Sequence, residues 1–456
     1  MAIFERRKAV ADSFQAGQAL RNRLPRGSHA AWKPPKGRID PVKVLIETSK
    51  GRIPSLLPIR YGRMAQSPFG FFRGAAAVMA ADLAKTPVSG IQTQLCGDCH
   101  LLNFGVFGTP ERHLLFDIND FDETLPGPWE WDLKRLTTSF IVAGRNSRFK
   151  AAESRAAARA CARSYRKHIA EFSKMRVLDL WYARLDLELD LLAKVENRAT
   201  FGRIKKRIAK VRAHTVVEDD FPELTESKGG QPRIRDNPPL IYHPPEAQEA
   251  DFQENLEETL ARYRDSLAED RQALLDRYRR VDVAMKVVGV GSVGTWCGIA
   301  LHMAGPEDPL FLQAKEARPS VLEPHLGKSR HPNHGQRVVA GQRLMQSASD
   351  IFLGWTQGKK GRHFYIRQLR DMKIKPRVEI YTSVEMETYA RFCGWALARA
   401  HAKSGNAAAI SGYLGKSGKM DESLAAFGED YADQNERDHR ALTEAIRQGR
   451  IEAYFE

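Results

Sequence analysis

Residue types able to hold a divalent cation beside a phosphoryl group are concentrated in one short stretch. LCGDCHLLNFG, 95–105, sets Asp98, His100 and Asn103 on one loop. HLLFDINDFDETLPGPWEWDLKRL, 113–136, then brings Asp117, Asp120 and Asp122 directly after an apolar run. Carboxylates and an amide on loops leaving strands are hard oxygen ligands that suit Mg²⁺ and leave room for phosphate oxygens. An aspartate beside them that is not committed to metal can accept or orient a hydroxyl proton. A lone loop acid is usually a turn former or a helix cap, so the signal lies in the order and spacing of the group. Asp122 suits a second metal, Asp117 can equally serve backbone donors, and His100 can organise the loop by hydrogen bonding. Cys96 and Cys99 form a CxxC, but there is no second such pair and no helix opens at it, so buried thiols fit better than a zinc or redox site.

A second set of residues lies some two hundred positions later. VVGVGSVGTW, 287–296, holds Gly289, Gly291, Ser292 and Gly294. A dinucleotide fingerprint would open a helix. Here apolar strands are expected on both sides, the form of a kinase-type lid whose glycines let the backbone approach phosphates. The next strand, PLFLQAKEA, carries Lys315. No acidic residue stands at an obvious partner position in the following helix, which leaves Glu316 and Glu323 as candidates.

Taken together the segments resemble the kinase-like phosphotransferases, above all the aminoglycoside and choline kinase branch. Asp98 and Asn103 are five apart, Asp120-Phe121 follows a strand, and Trp131-Asp132-Leu133 opens a helix, all as in that branch. The resemblance implies that Asp98 is catalytic, with His100 beside it, and that Asn103 and Asp120 hold Mg²⁺. It implies that Asp132 is structural, and that the glycine loop and Lys315 hold ATP, with adenine near Gln368–Arg370. It implies an α+β, two-lobed protein-kinase-like fold with a small β-rich lobe and a large helical lobe. The order of the motifs is inverted relative to that fold, because the glycine loop follows the acidic loop. Circular permutation accounts for this if the helical lobe is built from both chain ends. Either 393–405 or the Ala-rich 71–86 would then supply the helix leading into the acidic loop. Across nearly its whole length the chain also resembles an uncharacterised bacterial family, DUF2252. That likeness is carried by PIRYGRMAQSPFGFFRGAA, the acidic segment, GQRLMQSASDIFLGW, FYIRQLRDMK and CGWALARAHAKSG.

The elements that must position these residues follow from periodicity and punctuation. Helices are expected over 40–57, 71–86, 129–145, 151–174, 246–280 and 336–349, and from 383 onward with a break at 411–419. Strands are expected at 91–95 and 113–117, around the glycine loop, and as a hairpin across QGKKG at 357–361. Pro- and Gly-rich 218–246 reads as a loop. The divisions are an N-terminal extension 1–60, a helical region 61–280 carrying the acidic loop, a β-rich nucleotide lobe 281–375, and helices 376–456 returning to the helical region.

The chain of 456 residues carries 71 Lys+Arg against 56 Asp+Glu, a formal charge of +15. Such a balance favours anionic partners. Without an RNA-binding aromatic motif, finger spacing or basic heptads, a nucleotide and an anionic substrate fit better than nucleic acid. Arg60, Arg63 and Arg73 can grip a phosphate or bridge helices. Five cysteines suit a reducing cytoplasm rather than a disulfide framework, and no apolar run is long enough to span a bilayer. The function expected is ATP- and Mg²⁺-dependent phosphoryl transfer to a hydroxyl acceptor. The alternatives are a nucleotide-binding pseudokinase or nucleotidyl transferase, and a metal-dependent hydrolase.

Overall fold

The computed structural model describes residues 2–191, 202, 205, 206, 208, 209, 221–243, 259–287, 289–358, 361–369 and 372–455. The architecture is mixed α+β. Three short antiparallel pairs come first: β1 (Gln92–Leu95) with β4 (Leu125–Pro128), β2 (Phe104–Gly108) with β3 (Leu114–Ile118), and β5 (Thr225–Lys228) with β6 (Gln231–Ile234). β7 (Ile241–Tyr242), β8 (Arg279–Lys286), β9 (Cys297–Gly305), β10 (Asp308–Ala317), β11 (Gly354–Gln357) and β12 (His363–Gln368) build one antiparallel sheet in the order β11-β12-β10-β9-β8-β7.

Alternation along β10 explains how this sheet serves a site. Leu310 and Leu312 join Tyr263, Phe352 and Ile366 in an apolar layer on one face. With a side-chain period of two, Gln313 and Lys315 emerge on the other, and both line a cleft. The hairpin expected across QGKKG is present, with Gly354 opposite Ile366 and Gln357 opposite His363.

The helical body draws on both ends of the chain. Helices Trp129–Asn146, Ala151–Phe172, Ser383–Ser404 and Lys419–Arg447 pack on one another. Phe72, Leu133, Tyr165, Leu397 and Phe427 share one apolar core. Of the two helices that competed for the position before the acidic loop, the C-terminal one lies against β1. Thr93 Oγ1 is 2.7 Å from Ser404 Oγ and donates to the His401 carbonyl at 3.3 Å. Ala76–Leu83 packs instead on Pro41–Ser49 and Trp129–Asn146.

Several expected elements differ in extent. The 71–86 helix starts earlier, at Pro68, because Ser67 caps it by accepting the Gly70 N–H. It also breaks at Ala75 (φ −107°, ψ 33°), where Arg60 takes the Gly74 carbonyl at 3.1 Å. The 40–57 helix stops at Ser49, with Asp40 as its cap. Within 218–246, read as loop, lies the hairpin β5–β6, turning at Gly229-Gly230. Residues 246–258 lie outside the described residues; 259–265 and Glu269–Leu275 are helical, and β8 already begins at Arg279. The break at 411–419 shrinks to the turn between helices Ala407–Leu414 and Lys419–Arg447. Among the described residues no helix is long and apolar enough to cross a membrane.

Candidate functional site

The acidic loop is held by the helix that follows it. The Asp132 carboxylate, in that helix's first turn, accepts the Cys96 N–H at 2.7 Å and the Gly97 N–H at 3.0 Å, and His401 Nε2 lies 3.3 Å from it. Gly97 has φ +88°, and a Cβ there would stand 2.3 Å from the Glu123 carbonyl oxygen, so this turn requires glycine. Arg135, one turn beyond Asp132, reaches the emerging Asp98: its Nε donates to Asp98 Oδ1 at 2.7 Å. The same guanidinium donates to the Phe72 carbonyl and covers the Phe72 ring. Burial raises the pKa of Asp98 against the opposing pull of Arg135.

His100 is buried, and its Nδ1 accepts the Leu102 N–H at 3.2 Å. Burial, reinforced by Arg73 and Arg135, pushes its pKa well below the usual histidine value. A neutral ring that braces the loop is the result, which fits the organising role better than proton transfer. The Asn103 side-chain amide donates to the Asp98 carbonyl at 2.7 Å, leaving its amide oxygen as the available ligand atom.

Across β3 the three aspartates separate into different environments. Asp117 is sealed: it accepts from Ile118 N, Ser347 N, Ser347 Oγ and Arg399, the last at 2.7 Å. Among the described residues Asp120 accepts only the Asp122 N–H, at 3.2 Å, and burial together with the Asp122 charge raises its pKa. Asp122 receives Lys315 Nζ at 2.8 Å, the Tyr365 hydroxyl at 2.5 Å and Ser292 Oγ at 3.1 Å. Burial opposes ionisation of Asp122, but Lys315 and Tyr365 outweigh it and hold its pKa low. Lys315 is likewise kept charged, because Asp122 overcomes the burial that would neutralise it.

The acidic partner of Lys315 is therefore Asp122, from the loop, and neither Glu316 nor Glu323. Glu316 pairs with Arg362 at 2.7 Å and accepts the Trp296 N–H, while Glu323 lies 3.7 Å from His334. Asp122, read from sequence as a metal ligand, is thus engaged by an ammonium. Tyr365 stands opposite Lys315 in the β10–β12 register, a pairing that only the folded sheet reveals.

These groups line one cleft of about 780 Å³. Asp98, His100, Asn103, Asp120, Asp122, Gly289, Gly291, Ser292 and Lys315 all border it. Gly294 and Gln368 do not. Gly294 (φ +84°) turns the chain onto Arg52 and Ile53, and its carbonyl accepts the Ile53 N–H. Gln368 gives its N–H to Asp350 and lines a separate 280 Å³ cavity. Leu369 borders the main cleft in its place, and Arg370 lies outside the described residues.

Sequence reasoning missed Arg52, Arg135 and Tyr365, while Arg367, which from sequence could face ligand or solvent, borders the cleft. Only Arg135 had a readable signal, being i+3 from Asp132 on one helix face. Nine basic side chains line the cleft against five carboxylates, so its lining carries an excess of positive charge.

Cys96, Cys99 and Asp132 each place one ligand atom within 4.8 Å of the others. Burial pushes the Cys99 thiol up to about 12 and the Cys96 thiol well above its usual value. With Asp132 already accepting two backbone N–H groups, the trio reads as packing beneath the loop. All five cysteines are free and buried.

Sheet and helical body thus define an α+β protein with a charged cleft of about 780 Å³ between a lysine-bearing sheet and an acidic loop. Residues 52–445 match the family described as "Uncharacterized protein conserved in bacteria (DUF2252)", and the chain belongs to it. No curated protein and no solved structure matches the chain.

Proposed function

We propose that this protein is an ATP- and Mg²⁺-dependent phosphotransferase, with a two-lobed, kinase-like arrangement reached in permuted chain order. The observation that carries the reading is the Lys315–Asp122 pair, which joins sheet to loop between residues 193 apart in sequence. That contact sets a cation for phosphates beside Asp98, Asn103 and Asp120 in one cleft.

The donors fit the implied metal. Asp120 has one long hydrogen bond and a charge raised in cost by Asp122, and the Asn103 amide oxygen is a hard neutral ligand. Asn103 and Asp120 would hold Mg²⁺, which when bound neutralises developing phosphate charge. Lys315 and the backbone at Gly289 and Gly291 bind the triphosphate, while Ser292, bonded to Asp122, ties the loop to the opposite wall. Asp98 orients an acceptor hydroxyl and takes its proton. Transfer of this kind demands positioning and charge neutralisation, which these groups supply.

One observation favours a second reading. The Asp98 carboxylate is already engaged by Arg135, an anchoring role that suits a nucleotide-binding pseudokinase or a nucleotidyl transferase. ATP turnover by wild type and Asp98→Asn decides between them. Loss of ADP formation in the variant supports the kinase, AMP attached to an acceptor supports nucleotidyl transfer, and equal background rates remove the kinase reading.

A further inference from the structure

One wall of the cleft carries charge that nucleotide binding by Lys315 leaves unexplained. Arg60, on the Leu57–Ala65 helix, is 2% exposed and faces no carboxylate among the described residues. Its terminal nitrogens reach only Ser49 Oγ at 3.4 Å and the Gly74 carbonyl, and its Nε has no partner. Arg73, on the next helix, makes no hydrogen bond or ion pair with any described residue, and its Nε is buried without a partner. Asp98 and Glu379 act on Arg73 only through space. Arg52 spends its guanidinium on the Thr48 and Val293 carbonyls. Three guanidinium groups thus border one cavity with no carboxylate among the described residues bonded to any of them.

Buried cations in this state are costly unless an anion joins them. A carboxylate offsets one charge, whereas a phosphate monoester brings close to two negative charges near neutral pH and oxygens matched to guanidinium forks. The wall also adjoins the reacting groups. Arg73 acts on Asp98, and the nearest atom to a Cβ built on Gly291 is the Arg73 carbonyl oxygen, 3.8 Å away.

We propose that Arg52, Arg60 and Arg73 form a subsite for the phosphate of a small phosphorylated hydroxyl compound, the acceptor in the reaction. The inference rests on the phosphotransfer reading above. In the step, the acceptor oxygen forms a bond to the γ-phosphorus of a nucleoside triphosphate, the bond to the diphosphate leaving group breaks, and the hydroxyl proton passes to Asp98. The arginines hold the acceptor's existing phosphate and stay unchanged.

The test titrates the full chain, saturated with Mg²⁺ and the non-hydrolysable analogue AMP-PNP, with inorganic phosphate, glycerol 3-phosphate and glycerol, read by calorimetry. Both phosphates are expected to bind, and glycerol at least tenfold more weakly than its phosphate. Arg73→Gln should weaken the phosphates at least tenfold, with Arg73→Lys recovering part of the loss. Arg52→Gln gives a second variant on a different helix-flanking segment of the same wall, and thermal melts check that each variant is folded. Phosphates that bind no better than glycerol, or equally well to Arg73→Gln, overturn the subsite. Mutual exclusion of glycerol 3-phosphate and AMP-PNP also overturns it, assigning the arginines to the nucleotide's own phosphates while phosphotransfer stands. If AMP-PNP fails to bind yet phosphate still needs Arg73, the anion site stands and the phosphotransfer reading falls.

Discussion

Two neighbouring regions of one acidic segment treat the same residue type in opposite ways. Beneath β3, Asp117 and Arg399 are 1% and 0% exposed, and the carboxylate accepts four hydrogen bonds. Three to five residues on, Asp120 keeps one long bond, and Asp122, 23% exposed, shares its charge with a lysine from the distant sheet. A carboxylate whose acceptor capacity is filled by the protein has no oxygen left for a ligand. One that is buried, charged and sparsely bonded is held at a cost that a cation or substrate relieves. The difference is between a structural knot and a site, and it lies in partners rather than in residue type.

The largest effect should separate the regions by activity. Asp98→Asn is expected to lower ATP turnover about 10²–10⁴-fold, with a smaller loss of stability than at the knot; unchanged turnover in a steady-state assay would abolish the contrast. Next, Asp117→Ala leaves Arg399 buried and unpaired and should cost about 3–5 kcal/mol in urea unfolding. A cost below about 1 kcal/mol would show that the knot is no more structural than the cleft. Lys315→Met should weaken AMP-PNP binding about tenfold or more, the worth of a charge-assisted hydrogen bond. Tyr365 and Ser292 still hold Asp122 in that variant, so the fold should persist by circular dichroism.

The smallest effect is a pH slope. Burial raises Glu123 from 4.5 to about 7, so between those values the folded protein holds a proton that the unfolded chain releases. Its contribution to stability is full below 4.5 and is lost as pH rises toward 7. Thermal melts across that window should fall with pH in wild type and flatten in Glu123→Gln; parallel curves would place Glu123 with the satisfied acids of the knot.

The loop elements were readable because their cues are local. Asp98, Asn103 and Asp120 stand out by spacing, Trp131-Asp132 by its position at a helix start, and the glycine loop by flanking strands. Lys315's partner was not readable, because pairing with Asp122 depends on the sheet crossing to the loop. Nor was the break at Ala75, beside which Arg60, fourteen residues before Gly74, takes the Gly74 carbonyl. Gln368 and Gly294 were misplaced for a related reason: neighbours in sequence need not face the same cavity. Leu369 borders the cleft, whereas Asp350 draws the Gln368 N–H away.

The sequence by itself determined which residue types suited to metal or phosphate stand where along the chain, and most of the helices and strands that carry them, because backbone propensity, capping and side-chain period act over a few residues. Only the tertiary structure decided which carboxylate each buried cation would meet, and which arginines would be left without one. Those outcomes depend on distance and burial in three dimensions, where electrostatic free energy is set and chain separation counts for nothing.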